Sequence, residues 1–305
     1  MKTIYSIILA TSLLSTSCHT INHSNTLSIQ EMVGVSKSMS WDNTNTPQMI
    51  AQASADSLSF MELSTQLFNT GKSTLSRDEL EKNGLRFKEE LDKKGITLWS
   101  IHLPFTRKLD ISVIDSAKRA ENVAFIKSMM EYTGKMKPQR FVLHPSSEPI
   151  KPEEREQRIK NCIESIGLLY PVAKKMGIKL CIENLPRTCL GNNAEELLRI
   201  VAPYPELGIC FDTNHFAQGN PADFVRIAGK RIATVHISDC DGIDERHWIP
   251  YEGVINWKDV MTELQKVHYP GPYIFELRSP AKDGKHNYSS REIRNAYLRM
   301  CAEIK

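Results

Sequence analysis

Short apolar runs alternate with longer amphipathic segments along most of this chain. An apolar run of strand length between turn residues is typical of a strand buried on both faces, as in a parallel sheet. The predicted strands are 32–38, 59–63, 96–103, 140–144, 178–183, 207–212, 231–237 and 273–277. The predicted helices are 47–54, 77–94, 115–136, 152–176, 193–201, 222–229, 257–267 and 290–304.

Eight strands alternating with eight helices favour a parallel (β/α)8 barrel, the TIM-barrel architecture, as one catalytic domain over residues 31–305. Pro152 in the first turn of one predicted helix and Gly177 just after its end support the helix boundaries. A doubly wound open sheet is the alternative fold. It is less well supported because no glycine-rich dinucleotide turn follows the first strand.

The first 30 residues follow a different pattern. Lys2 precedes an apolar run from Ile4 to Leu14, and small residues then lead to Cys18. This predicts a signal peptide at 1–18, since a membrane-spanning helix needs about 20 apolar residues. Cys18 resembles a bacterial lipoprotein cleavage site, although Leu14 lies one position further from it than usual. We expect export to the periplasm, a lipid anchor at Cys18 as the only membrane attachment, and a polar tether at 19–30.

The composition, with 41% hydrophobic and 25% charged residues, is ordinary for a globular protein. A formal net charge of +3 gives no basic footprint, so no nucleic-acid partner is expected. The six cysteines after Cys18 show no CxxC spacing, which argues against a thiolate zinc site. Cys181 and Cys210 are expected to act as small core side chains. The sequence leaves disulfides and a homo-oligomer open.

Side chains that can bind a metal or transfer a proton end six of the predicted strands. In a barrel the carboxyl ends of all strands meet at one mouth, so these side chains become neighbours. They are His102, His144, Glu183, Asp212, His236 and Glu276, with His215 three residues after Asp212. Taken singly, such a histidine is more often structural, and such a carboxylate can cap the following helix.

Taken together, the carboxylates would repel one another unless a cation lay between them. We therefore predict one divalent metal ion held by Glu183, Asp212, His236 and Glu276. Oxygen and imidazole donors suit Mn²⁺, Mg²⁺, Co²⁺ or Zn²⁺ and do not choose among them.

Five motifs in this order resemble the sugar phosphate isomerase/epimerase family of xylose isomerase-like barrels. They are Ile182-Glu183-Asn184-Leu185-Pro186, Phe211-Asp212-Thr213-Asn214-His215, Val235-His236-Ile237-Ser238-Asp239, Glu252-Gly253 before Trp257, and Phe275-Glu276-Leu277. That family includes ketose 3-epimerases and, more distantly, endonuclease IV. The resemblance runs from about residue 30 to the end and is strongest from His144 onward.

The resemblance implies that Glu183 and Glu276 bind the metal and also exchange a proton on the two faces of a substrate carbon. It implies that His215 contacts the sugar. General chemistry supports these roles. A metal on a carbonyl oxygen makes the neighbouring C–H bond more acidic because it stabilises the enediolate, and two carboxylates can then serve as base and acid. His102 and His144 match positions that bind extra zinc ions in the endonuclease branch. We assign them to substrate contact, with a second metal as the alternative.

The acidic loop after the seventh predicted strand is expected to bring Arg246 or His247 to the substrate; the alternative is a solvated loop. The endonuclease branch carries Asp-Arg-His here for a third zinc, whereas this chain has Glu245-Arg246-His247. That departure and the lack of a basic surface weaken a DNA-repair function.

The expected function is therefore a divalent-metal-dependent isomerase or epimerase. Phosphorylated sugars are mostly cytoplasmic, so an exported member is expected to act on a free sugar or a glycoside. A lyase that cleaves a 3-keto-glycoside by β-elimination would use the same metal and the same proton abstraction. A non-catalytic sugar-binding lipoprotein is a weaker alternative, because binding alone does not need both Glu183 and Glu276.

Overall fold

A computed structural model describes residues 28–65, 77–216 and 219–304. Eight parallel strands form one closed barrel in chain order, with the last strand paired to the first. The strands are β1 Val33–Ser38, β2 Phe60–Ser64, β3 Thr97–His102, β4 Arg140–Leu143, β5 Lys179–Glu183, β6 Gly208–Asp212, β7 Ile232–Ile237 and β8 Tyr273–Phe275. The helices are α1 Asn45–Ala55, α2 Arg77–Lys93, α3 Ser116–Thr133, α4 Arg155–Lys175, α5 Ala194–Val201, α6 Pro221–Ala228, α7 Trp257–Lys266 and α8 Ser290–Ala302. The predicted (β/α)8 fold is confirmed.

The element boundaries differ from the predicted ones mainly where a helix begins or ends in a tighter turn. A 3₁₀ turn over Gly134–Met136 follows α3, and another over Pro152–Glu154 precedes α4. β8 is two residues shorter than predicted, so Glu276 follows the strand instead of lying within it. Such ends are where α and 3₁₀ hydrogen bonding compete, and sequence patterns do not separate them.

The described part of the predicted tether is not free. Ile29–Glu31 forms a 3₁₀ turn, and the Tyr297 hydroxyl of α8 donates a hydrogen bond to the Ile29 carbonyl. The rest of the tether and the predicted signal peptide, with Cys18, lie outside the described residues. Among the helices of the described ranges, none is both long and apolar enough to cross a bilayer.

The barrel interior is built in two layers, because alternate residues of a strand point to the same face. The lower layer is apolar and contains Phe60, Trp99 and Ile274 together with Val142, Cys181 and Cys210. Two residues further along β2, β4, β5, β6 and β8, and three residues further along β3, the interior changes to ionisable side chains. The expected packing role of the two cysteines is confirmed, and all six cysteines of the described residues are free thiols.

Gly34 of β1 shows how tightly the lower layer is filled. A Cβ at this position would lie 2.5 Å from the Phe60 carbonyl oxygen and 2.8 Å from Cδ1 of Ile274. Both distances are far below van der Waals contact, so only glycine fits here without moving β2 or β8. The outer face of the barrel packs against the helices through one large apolar core, which includes Phe211 and Trp257.

Candidate active site

The upper interior layer brings the four predicted metal ligands together. Each one lies two residues after another interior side chain of its strand. The pairs are Cys181/Glu183, Cys210/Asp212, Thr234/His236 and Ile274/Glu276. The register of β6 on β7 sets Asp212 directly beside His236. The period of two in each strand therefore places all four side chains at one end of the barrel.

His236 lies at the centre of this cluster. Its Nδ1 is 2.9 Å from Oε2 of Glu276, 3.0 Å from Oε1 of Glu183 and 3.8 Å from Oδ2 of Asp212. One donor atom from each of the four residues lies within 4.8 Å of the others. The arrangement has the donor types and the spacing that a single divalent cation requires.

The charges in the cluster depend strongly on one another. Burial raises the pKa of the Asp212 carboxyl, and the neighbouring Glu183 and Glu276 raise it further, against the opposing effect of His215 and His247. Burial also opposes the charge on Glu183, but His236, His144 and His102 hold its pKa well below the usual range. These three carboxylates thus lie close together, and the strongest effects that oppose their mutual repulsion come from histidines.

The hydrogen bonds of Asp212 indicate whether these four residues fit a metal ion. Its Oδ1 accepts hydrogen bonds from the backbone N–H groups of Asn214 and His215, whereas its buried Oδ2 has no hydrogen-bond partner in the described chain. An unpaired buried carboxylate oxygen is costly, and a cation between it and Nδ1 of His236 would remove that cost. The four residues therefore fit a divalent metal.

His102 and His144 both face the second oxygen of Glu183. Their Nε2 atoms lie 3.0 Å and 3.1 Å from its Oε2. Nδ1 of His102 is 2.9 Å from the Leu103 carbonyl, to which it donates. Burial lowers the pKa of His102, but Glu183, Glu62 and Glu276 outweigh burial and raise it to about 9. His144 is less enclosed and lines the cavity above the cluster, where a substrate would contact it.

His215 and His247 form a second group with Glu245, next to the first. One donor atom from each lies within 4.8 Å of the others, and Nε2 of His215 is 3.2 Å from Oε2 of Glu245. Burial lowers the pKa of His215, but Asp212, Glu245 and Glu183 raise it to about 10. Both histidines line the cavity, so the structure places them where sequence analysis expected substrate contacts.

Arg246, the other expected substrate contact, is directed elsewhere. Its Nε donates to Oδ2 of Asp241 at 2.6 Å, within the same loop, and its side chain does not line the cavity. The position of Arg246 therefore does not support a substrate contact. A different arginine, Arg187, lines the cavity, and the sequence analysis did not predict it. Its guanidinium donates to Glu148, Asp244 and Glu245 at 2.9, 2.6 and 2.8 Å.

Arg187 joins three loops at the rim of the barrel. Its φ of 53° is in the left-handed region that non-glycine residues rarely adopt. Nothing in its local sequence predicts this conformation or the distant carboxylates that hold it. The ion pairs fix the loop after β5 to the loops after β4 and β7, and so shape one wall of the cavity.

The cavity above the metal-ligand cluster has a volume of about 620 Å³, within the range of small-molecule sites. Its floor includes Glu276, whose side chain is 23% exposed, and the fully buried Glu183 beside it. Phe105, which stacks on His144 with ring centroids 4.2 Å apart, and Leu277 supply apolar surface. An apolar wall beside a polar, metal-capable floor is suited to a polyhydroxylated ligand with one apolar face.

Comparison with known proteins gives the same fold. The family model described as "Xylose isomerase-like TIM barrel" matches residues 50–297. An uncharacterized protein of Methanocaldococcus jannaschii is 30% identical over 212 residues, which cover 67% of this chain and 71% of that protein.

Two solved structures are similar over nearly their full length. A D-tagatose 3-epimerase-like protein has a TM-score of 0.68 and 25% identity, with 89% of this chain and 98% of that chain covered. The 3-keto-D-glucoside 4-epimerase YcjR from E. coli has a TM-score of 0.67 and 15% identity, with 89% and 99% covered. The second likeness shows the fold alone. The family match over most of the barrel shows that this chain belongs to the xylose isomerase-like TIM-barrel family.

Proposed function

We propose that this protein is a divalent-metal-dependent sugar isomerase or epimerase that removes and returns a proton next to a carbonyl. The observation that carries the proposal is the cluster of Glu183, Asp212, His236 and Glu276 at the floor of a ligand-sized cavity. The resemblance to a D-tagatose 3-epimerase-like protein supports the same chemical class.

The residues have three kinds of role in this proposal: metal binding, proton exchange and substrate contact. A divalent metal, when bound, would polarise the substrate carbonyl and make the neighbouring C–H bond more acidic. Asp212 and His236 hold that ion, while Glu183 and Glu276 also reach the cavity and exchange the proton. His144, His215 and His247 line the same cavity and are positioned to hydrogen-bond sugar hydroxyls.

We extend the proposal to a free sugar or a glycoside as the substrate class, acted on outside the cytoplasm. Support for export and for a lipid anchor at Cys18 comes from the N-terminal sequence pattern alone. A protein named as a 3-keto-D-glucoside 4-epimerase has the same fold, so the fold does not exclude a glycoside. β-Elimination from a 3-keto-glycoside would begin with the same proton abstraction and is the alternative reaction.

The experiment that tests the proposal is incubation with keto-sugars and 3-keto-glycosides in D₂O, with Mn²⁺ or Co²⁺ added. We expect deuterium to enter the carbon next to the carbonyl, with epimer or isomer formation. Release of the second sugar or aglycone would identify the lyase instead. Absence of exchange, isomerisation and elimination from every compound with metal-loaded protein would contradict the proposal.

The group formed by His215, Glu245 and His247 gives a reason to count metal ions in the same preparation. A nuclease of the endonuclease IV type needs three zinc ions, whereas the sugar reaction needs one at the first cluster. One ion per chain supports the sugar isomerase. Three ions together with cleavage of abasic-site DNA would support the nuclease.

A further inference from the structure

Glu62 is a fully buried carboxylate that the proposed reaction does not use directly. It lies on β2, two residues after Phe60, and therefore points into the barrel interior at the level of the metal-ligand cluster. A charge at 0% exposure is expensive unless hydrogen bonds and opposite charges surround it. The hydrogen bonds that stabilise the Glu62 carboxylate therefore indicate its structural role.

The two oxygens of Glu62 have defined partners. Oε2 lies 3.0 Å from Nε2 of His236 and accepts a hydrogen bond from the Ser100 hydroxyl at 2.7 Å. Oε1 accepts from the Ser36 hydroxyl at 2.8 Å. The serines belong to β3 and β1, the neighbours of β2 on either side. The carboxylate is thus fixed from both sides, with one oxygen directed at His236.

The other nitrogen of His236 faces the opposite way. Nδ1 lies 3.0 Å from Oε1 of Glu183 and 2.9 Å from Oε2 of Glu276, so it is the nitrogen available to a metal. The imidazole ring separates Glu62 from the cluster, which excludes Glu62 as a further ligand. A neutral imidazole has a single N–H, and a nitrogen that binds a metal must be free of a proton.

We propose that Glu62 is a positioning residue for the metal site. Its Oε2 accepts the hydrogen bond of His236 Nε2–H and so fixes the imidazole ring with Nδ1, the nitrogen that would bind the ion, turned toward Glu183, Asp212 and Glu276. The inference rests on the proposed function, because it assumes that the cluster binds a metal. It assigns a task to a residue that neither touches the substrate nor coordinates the ion.

The test compares Glu62→Gln with Glu62→Leu in the full-length protein. The glutamine carbonyl can still accept from Nε2–H while its amide donates to Ser36, whereas leucine fills the space without an acceptor. Asp56→Asn is the matched control, since Asp56 has a side chain only 4% exposed and bonds to Gln52, Ser290 and Arg291, away from the cluster. All variants are checked for folding by circular dichroism.

The readouts are the affinity of the metal-free protein for Mn²⁺, by calorimetry, and the visible absorption bands after Co²⁺ loading. Loss of a hydrogen-bond partner behind a metal-binding histidine typically weakens metal affinity by about 10–100-fold, and we expect that loss in Glu62→Leu. We expect Glu62→Gln to retain most of the affinity and Asp56→Asn to match the wild type. Co²⁺ bands should change in Glu62→Leu alone.

Three results would overturn the inference: wild-type affinity in Glu62→Leu, an equal loss in Asp56→Asn, or a loss in Glu62→Gln as large as in Glu62→Leu. If Glu62→Leu does not fold, the double variant Ser36→Ala/Ser100→Ala loosens Glu62 without removing it. That variant should bind Mn²⁺ more weakly than Asp56→Asn does, and equal affinities would contradict the inference. A wild type that binds no metal would overturn the proposed function and this inference together. If the wild type binds metal, the variants test the role of Glu62 separately from the proposed function.

Discussion

The two glutamates at the cavity floor occupy different environments although the proposed reaction gives them matching tasks. Glu183 is fully buried, with three histidines within 3.1 Å of its oxygens and a fourth, His215, at 3.6 Å, while the Glu276 side chain retains 23% exposure. Burial opposes the charge on Glu276, but His236 and His247 hold its pKa below the usual range. The histidines therefore favour the ionised form of both carboxylates, which is the form that can accept a proton.

Replacing one base separates exchange from epimerisation. In Glu276→Gln, we expect turnover to fall by about 10²–10⁴-fold, because one face of the substrate carbon has lost its acid–base group. Glu183 should still exchange deuterium into one of the two epimers in D₂O, followed by NMR. Glu183→Gln should show the mirror result, with exchange limited to the other epimer.

Metal content of each variant is the necessary control, since Glu183 and Glu276 are also proposed ligands. A fully metal-loaded Glu276→Gln protein with wild-type epimerisation would show that Glu276 is not an acid–base group. Exchange into both epimers by a single variant would point instead to one base that serves both faces.

Among single residues, the candidate metal ligands near strand ends were predictable from sequence, whereas the positioning role of Glu62, inside a strand, was not. Glu183, Asp212 and His236 stand at the end of apolar runs, where a polar side chain is conspicuous. Glu62 lies inside the run Phe60-Met61-Glu62-Leu63, and its signal was a charge within a strand that should be buried. Its partner His236 is 174 residues away, and only the closed barrel brings the two together.

At the scale of elements, the loop between β7 and α7 depends on one buried carboxylate. Asp239 accepts from the indole N–H of Trp257 at 2.9 Å and from the backbone N–H groups of Cys240, Tyr251 and Ile255. At Gly253 a Cβ would lie only 2.1 Å from the Cys240 carbonyl oxygen. The loop that carries Glu245 and His247 is therefore closed tightly around Asp239.

Asp239→Ala should destabilise the protein, because it leaves several buried donors without an acceptor. We expect a loss of about 1–3 kcal/mol in the free energy of unfolding. The measurement is chemical or thermal denaturation, with Asp241→Ala as the control in the same loop, since Asp241 lies near the surface and pairs with Arg246. Equal effects of the two substitutions would show that Asp239 does not anchor the loop.

The order of elements was predictable from sequence because buried strands and amphipathic helices have different periods and lengths. The conformations of the loops at the mouth, which shape the cavity, were not predictable in this way. Arg187, with its left-handed backbone, pairs with carboxylates 39, 57 and 58 residues away. Such ion pairs follow from the closed barrel, so no local pattern marks them. Arg246 differs, because its partner Asp241 lies only five residues away in the same loop, and the sequence does not show which of the nearby groups it contacts.

At the scale of the whole molecule, metal binding should be coupled to folding. The cluster draws its ligands from β5, β6 and β7 and from the residue after β8, so an unfolded chain would not retain the site. A ligand that binds the folded state alone stabilises it by about 2.7 kcal/mol at a concentration of ~100 times its Kd. Bound metal should therefore raise the melting temperature of the entire barrel, and not of one segment.

The expected result is a rise of several degrees in the melting temperature on addition of Mn²⁺ or Co²⁺ to chelator-treated protein, since each kcal/mol is worth about 2–4 °C in a protein of this size class. Asp212→Asn is the informative comparison. It replaces the Oδ2 atom that has no hydrogen-bond partner in the described chain, and relieves part of the repulsion among the three carboxylates. The metal-free variant should therefore melt no lower than the metal-free wild type, yet gain little from added metal. A full metal-induced shift in Asp212→Asn would place the ion elsewhere, with His215, Glu245 and His247 as the first group to examine.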